Sequence, residues 1–341
     1  MAADKDLADR MDRASSGLLQ AGFDALLVTP GADLRYLTGY DALPLERLTC
    51  LVLPVTGEPS LVVPALEEPA AQASPISRLG VRIVPWQETE DPVALVALVA
   101  RVLGSVSTVA LDDHMWAEKV LAFRAAMPQV EQVVAGPVLR RLRMNKSTAE
   151  IQALRRAGAA IDRVHARMAE WLRVGRTKRE VGCDIADAII TEGHTRVDFV
   201  IVAAGPNGAS PHAEVSDRVL EAGDTVVVDI GGTTEAGYCS DETRTYCLGN
   251  PPAEFSDYYA VLLRAQLANL GRSLRPHDYS PTSPSQVVGN GAAPGLTVAT
   301  ISSSARRTKF SPTHRCLAPS TPTTLVWGMV LNRCAASSGL R

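Results

Sequence analysis

At 341 residues, with 46% apolar and 21% charged residues, the chain is long enough for two hydrophobic cores and has the composition of a globular rather than a disordered protein. A formal net charge of −3 without a long Lys/Arg run argues against nucleic acid as a partner, and six scattered cysteines lacking any C-x-x-C pair argue against a disulfide framework or zinc ribbon and for reduced thiols in a cytoplasmic protein. The charged amino terminus has no apolar h-region, and the longest apolar run, residues 93–103, is broken by Arg101 and falls short of the ~20 residues of a membrane span, so neither export nor a membrane is expected.

Leu7, Met11, Leu18 and Leu19 recur at helical spacing up to Gly22, after which Ala25-Leu26-Leu27-Val28 reads as a buried strand. Residues 48–53 and 61–63 flank the turn signal Thr56-Gly57-Glu58-Pro59 and predict a hairpin. Residues 81–84 and 106–111 read as further strands around a helix over 92–103. Residues 1–140 are therefore expected to form an α/β domain of their own, with no catalytic grouping of acids, histidines or glycines.

A second section begins at Ser147, with Glu150 three residues on, the pattern of a capping box in which each side chain satisfies the other's backbone N–H. Ile151, Leu154, Ile161, Val164, Met168 and Leu172 then keep one apolar face for about six turns. Thr177 and Glu180 repeat the box, and Val181, Ile185 and Ile189 carry a second helix to Gly193. Residues 199–203, 225–230 and 244–248 have strand character, with a turn expected at Gly231-Gly232, which gives helices on an antiparallel sheet, or α+β. Beyond about residue 270, Ser, Thr, Pro and Arg become frequent and Asp278 is the one acid left of 37, so residues 271–341 are expected as a tail without regular structure.

Asp229 interrupts an apolar strand, where an ionised carboxylate without a partner costs several kcal/mol. Asp241 lies across the turn, and if the strands pair as a hairpin both carboxylates reach one pocket, where a divalent cation relieves their repulsion. Taken alone, Asp229 fits a turn-capping aspartate at a strand end equally well.

The strings Gly205-Pro206-Asn207-Gly208-Ala209-Ser210-Pro211-His212, Gly223-Asp224-Thr225-Val226-Val227-Val228-Asp229 and Ser240-Asp241-Glu242-Thr243-Arg244-Thr245, in that order, resemble the pita-bread metallopeptidases. That family includes prolidase, aminopeptidase P, methionine aminopeptidase and the metal-free creatinase. The resemblance takes in the helices from Asn145 to Gly193 and, more loosely, the segment from Thr29 to Gly39, which is similar to the family's N-terminal domain. It implies a creatinase/prolidase-like domain over 1–140 followed by the first half of a pita-bread catalytic domain over 145–270. It further implies two divalent metal ions (Mn, Co or Zn) with Asp229 and Asp241 as the first two ligands, and His212 as a catalytic group that steadies substrate and tetrahedral intermediate. Thr243 matches a threonine beside the second ligand. The substrate implied is a small peptide with proline at its second position, cleaved by a dipeptidase or aminopeptidase, and the oligomer implied is a homodimer.

The family's centre takes five ligands, and the histidine and two glutamates that complete it have no match here. His277 and His314 lack the flanking glycines of a Gly-His-Gly motif, no glutamate follows Glu254, and Asn332-Arg333-Cys334 stands where an acid is expected after Gly328-Met329-Val330-Leu331. An incomplete catalytic domain and impaired activity follow, with a non-catalytic binding or assembly module as the alternative. Metal content separates them: about two ions per chain exclude the module, and none excludes the enzyme. A reading-frame slip is the hypothesis that accounts for both the compositional break and the missing ligands. Sequencing the coding DNA tests it: an intact frame, with no Gly-His-Gly-like motif in either alternative frame, would overturn it.

Overall fold

A computed structural model describes residues 2–102, 106–273 and 296–299, and the chain divides into two compact units, Met1–Ser147 and Thr148–Arg341. Among the described residues, no helix is long and apolar enough to cross a membrane.

The first unit holds a six-stranded mixed sheet, made of β1 (Ala25–Val28), β2 (Cys50–Pro54), β3 (Ser60–Pro64), β4 (Arg82–Trp86), β5 (Thr108–Leu111) and β6 (Glu131–Val134) in the order β4-β3-β2-β1-β5-β6. The β2–β3 hairpin forms around the predicted turn, and β1 runs parallel to β5. All four β1 side chains are fully buried, because alternate residues feed two separate cores: Leu26 and Val28 join one, Ala25 and Leu27 the other. A strand covered on both faces carries a continuous apolar run, which is why it was visible in the sequence. Helices α1 (Ala2–Ala21), α2 (Ala32–Thr38), α3 (Glu68–Ala73), α4 (Pro92–Val102), α5 (Ala117–Ala126) and α6 (Gly136–Met144) complete the unit. Leu19 departs from the expected apolar face of α1 and is 67% exposed. α5 gave no periodic signal because Phe123 is its one fully committed core residue.

The second unit begins with α7 (Thr148–Ala166), α8 (Met168–Trp171) and α9 (Lys178–Thr191). The single helix expected to reach Leu172 is interrupted at Arg167 (φ −97°, ψ 2°), where the last turn tightens to an Arg167 N–H bond with the Val164 carbonyl at 3.1 Å. The second capping box is present in full: Thr177 accepts from the Glu180 N–H, and the Glu180 carboxylate accepts from the Thr177 N–H at 2.7 Å. Strands β7 (His194–Ala204), β8 (Thr225–Thr234), β9 (Glu242–Leu248) and β10 (Leu296–Ala299) form an antiparallel sheet in the order β10-β9-β8-β7. Val202, Val226, Val228, Ile230 and Tyr246 pack from one face of it against Ile161, Val164, Val181, Ile185 and Ile189 of the helices.

Gly231 and Gly232 are not a turn; β8 runs straight through them. They are glycines because of close approach: a Cβ on Gly231 would meet the Ser240 carbonyl oxygen at 2.5 Å and the Phe199 ring at 2.6 Å. The reversal comes later, in a three-residue loop closed by bonds between Thr234 and Tyr238, with Gly237 in the left-handed region at φ 78°.

The tail expected to lack structure begins inside α10 (Phe255–Ser273), and Leu296–Ala299 within it forms a strand. Its other residues, with His277, His314 and the segment 328–334, lie outside the described residues.

Candidate functional site

The β8–β9 register pairs Asp229 with Thr243, Val228 with Arg244 and Ile230 with Glu242. Because successive strand residues face opposite ways, Val226, Val228 and Ile230 enter the core while Thr225, Val227 and Asp229 face the other side and are half-buried. Asp229 interrupts the apolar strand without being enclosed by it. Its neighbours in sequence are buried, but its own side chain lines an open cleft of about 310 Å³. Ile201, Ala203 and Val227 of the sheet, residues 208–211 and Thr243 line the same cleft.

Thr243 Oγ1 donates to Asp229 Oδ1 at 2.7 Å, a bond that fixes the rotation of the carboxylate. Pairing continues past the ladder, with the Ser240 N–H donating to the Gly232 carbonyl at 2.9 Å and a bridge between Thr233 and Cys239. This register sets Asp241 opposite Gly231, so the alternation gives it the same face as Asp229, one diagonal step along the hairpin. His212 is exposed and follows the short 3₁₀ segment Gly205–Ala209. The loop before it borders the cleft, and His212 itself is not part of the lining.

Behind the hairpin lies a buried polar network that the sequence reading missed. Arg244 pairs with Glu242 on its own strand and donates to Asp162 of α7 at 2.7 Å. His165, also on α7, meets the Glu242 carbonyl through Nε2 at 3.2 Å and the Tyr246 hydroxyl through Nδ1 at 2.9 Å. A carbonyl can only accept, so Nε2 carries the proton and Nδ1 receives the phenol's. Burial, and then the Arg244 charge, pull the His165 pKa down to about 3, while burial pushes the Tyr246 phenol up. The available signal was Glu242 and Arg244 two apart at inward positions of a strand, which cannot be seen until the register is known.

Residues 152–295 match the model of metallopeptidase family M24, and residues 10–145 match that of the creatinase/prolidase N-terminal domain. The chain is 49% identical over 269 residues to the protein named "Probable dipeptidase PepE" of Mycobacterium tuberculosis, spanning 79% of this chain and 71% of that one. The chain belongs to metallopeptidase family M24. Two solved structures are similar to it. The dipeptidase PepE of Mycobacterium ulcerans superposes with a TM-score of 0.73 at 50% identity, covering 78% of this chain and 71% of that one. The prolidase of Thermococcus sibiricus gives 0.70 at 32% identity, covering 77% and 71%. M24 membership carries the pita-bread fold and implies use of a divalent metal. Asp229 and Asp241, on one sheet face, suit a hard cation. Among the described residues, however, no three His, Cys, Asp or Glu side chains gather into a group that could hold a metal, so these residues alone do not build a dinuclear centre.

Proposed function

We propose that this chain is a metallopeptidase of the Xaa-Pro dipeptidase type in which Asp229 and Asp241 are the first two metal ligands. The observation that supports the reading is the β8–β9 register: continued through the Thr233–Cys239 bridge it sets Asp241 on the sheet face of Asp229, and Asp229 itself lines an open cleft. Thr243 is the group that orients Asp229, through its 2.7 Å bond. His212 steadies the substrate, a small peptide with proline at its second position. A bound pair of Mn, Co or Zn ions would supply a water of lowered pKa and polarise the scissile carbonyl. This chain, lacking a match for three of the family's five ligands, is impaired in that activity. It works in the cytoplasm as a homodimer.

The test is Mn²⁺ uptake and Xaa-Pro dipeptide hydrolysis by the wild-type chain and an Asp229→Asn variant. The wild type should bind Mn²⁺ weakly and the variant at least about 10-fold more weakly. Hydrolysis should stay near the blank for both. Equal Mn²⁺ affinities would remove Asp229 from the ligand set, and turnover by the wild type would overturn the impairment.

A further inference from the structure

His194, the first residue of β7, is 3% exposed and touches the hairpin beside Asp241. Its Nδ1 lies 3.2 Å from the Ile189 carbonyl oxygen near the end of α9, and its Nε2 lies 2.9 Å from Ser240 Oγ. The carbonyl accepts only, so Nδ1 bears the proton, Nε2 is the bare nitrogen, and the Ser240 hydroxyl donates to it. The same Ser240 oxygen accepts the Gly232 N–H at 3.2 Å. A Cβ on Gly232 would come within 3.0 Å of His194 Cδ2 and 2.7 Å of the Arg196 carbonyl oxygen, so the imidazole is seated directly against the hairpin backbone.

Asp241 lies between the last regular β8–β9 pair and Ser240, the residue that continues the register toward the turn. The regular β8–β9 pairs end at Ile230 with Glu242, and the next fixed point is Ser240, bonded to Gly232 through its backbone and to His194 through its side chain. We propose that His194 is a positioning residue for Asp241, acting through Ser240. By clamping the residue before Asp241 to the end of α9, it sets the direction in which that carboxylate leaves the sheet toward Asp229. The inference rests on the metal-ligand reading of Asp241 given above. Ligating groups must be held to a fraction of an ångström, and partners that orient ligands commonly change metal affinity 10–100-fold.

Mn²⁺ affinity, followed by the electron paramagnetic resonance signal of the free aqua ion, tests this on the full chain. His194→Phe and Ser240→Ala should each weaken binding about 10-fold, and the double variant should be no weaker than the weaker single, because both cut the same bond. Thr177→Ala, which removes the α9 cap and so serves as a control for general destabilisation, should leave the affinity unchanged. If Asp241→Asn loses Mn²⁺ while His194→Phe and Ser240→Ala keep wild-type affinity, the role of His194 is overturned alone. Additive losses in the double variant, or an equal loss in Thr177→Ala, overturn it as well. A wild-type chain that takes up no Mn²⁺ overturns the ligand assignment, and this role with it.

Discussion

Arg244→Met should lower the stability of the second unit by about 3–5 kcal/mol, the largest effect expected of any single substitution considered. The side chains of Arg244 and Glu242 are 9% and 2% exposed, so removing the guanidinium takes a cationic partner from a carboxylate that stays buried. Asp162, whose side chain is 43% exposed, also loses a partner but can turn to water and contributes little. The double variant Glu242→Gln/Arg244→Met should recover a large part of the loss, since it removes the buried charge with its partner. Urea titration followed by circular dichroism reads both. The two units are not assumed to unfold together, so the comparison uses the transition belonging to the second. A loss below about 1 kcal/mol in the single variant would mean that water reaches Glu242, and the buried-pair argument would fail.

How much of this was legible beforehand depends on how local each determinant is. The Thr177/Glu180 box and the β2–β3 turn were read correctly because the interacting groups lie within a few residues of one another. Gly231-Gly232 was misread because a glycine pair serves both turns and close approaches, and the groups that decide, the Phe199 ring and the Arg196 carbonyl, come from another strand. Asp229 was placed on a strand correctly, but the side of the sheet that it faces was not read. Val227 is apolar like the inward-facing residues, so the alternation of the two faces is hidden in the string Val226-Val227-Val228-Asp229. Glu242, Arg244, His165 and His194 act through partners on other elements, which pairing register alone reveals. The open face of the sheet was visible as chemistry before it was visible as geometry: the aspartates and the hairpin that would bring them to one pocket stood out, while the residues that brace it did not.

Acidification should weaken the same half of the protein. In an unfolded chain the His165 imidazole takes up a proton near its ordinary value of 6.5, whereas in the fold burial and then Arg244 lower that value to about 3. Between these limits the unfolded state binds the extra proton, so stability falls as pH falls, by up to about 1.4 kcal/mol per pH unit, and above 6.5 the contribution is constant. From pH 7 to pH 5 the loss through His165 is roughly 2 kcal/mol. The pKa of His194 is also lowered, by burial first, and acts in the same direction, so the informative quantity is the difference between the wild type and His165→Gln. That variant should be less stable at pH 7, having lost its place between Tyr246 and the Glu242 carbonyl, and should show a shallower decline between pH 6.5 and pH 5. Parallel declines in urea titrations of the two proteins would mean that His165 titrates as an exposed histidine does. A steeper wild-type decline would tie acid lability to β9, because the imidazole that resists protonation is bonded to the carbonyl of Glu242, the residue between Asp241 and Thr243.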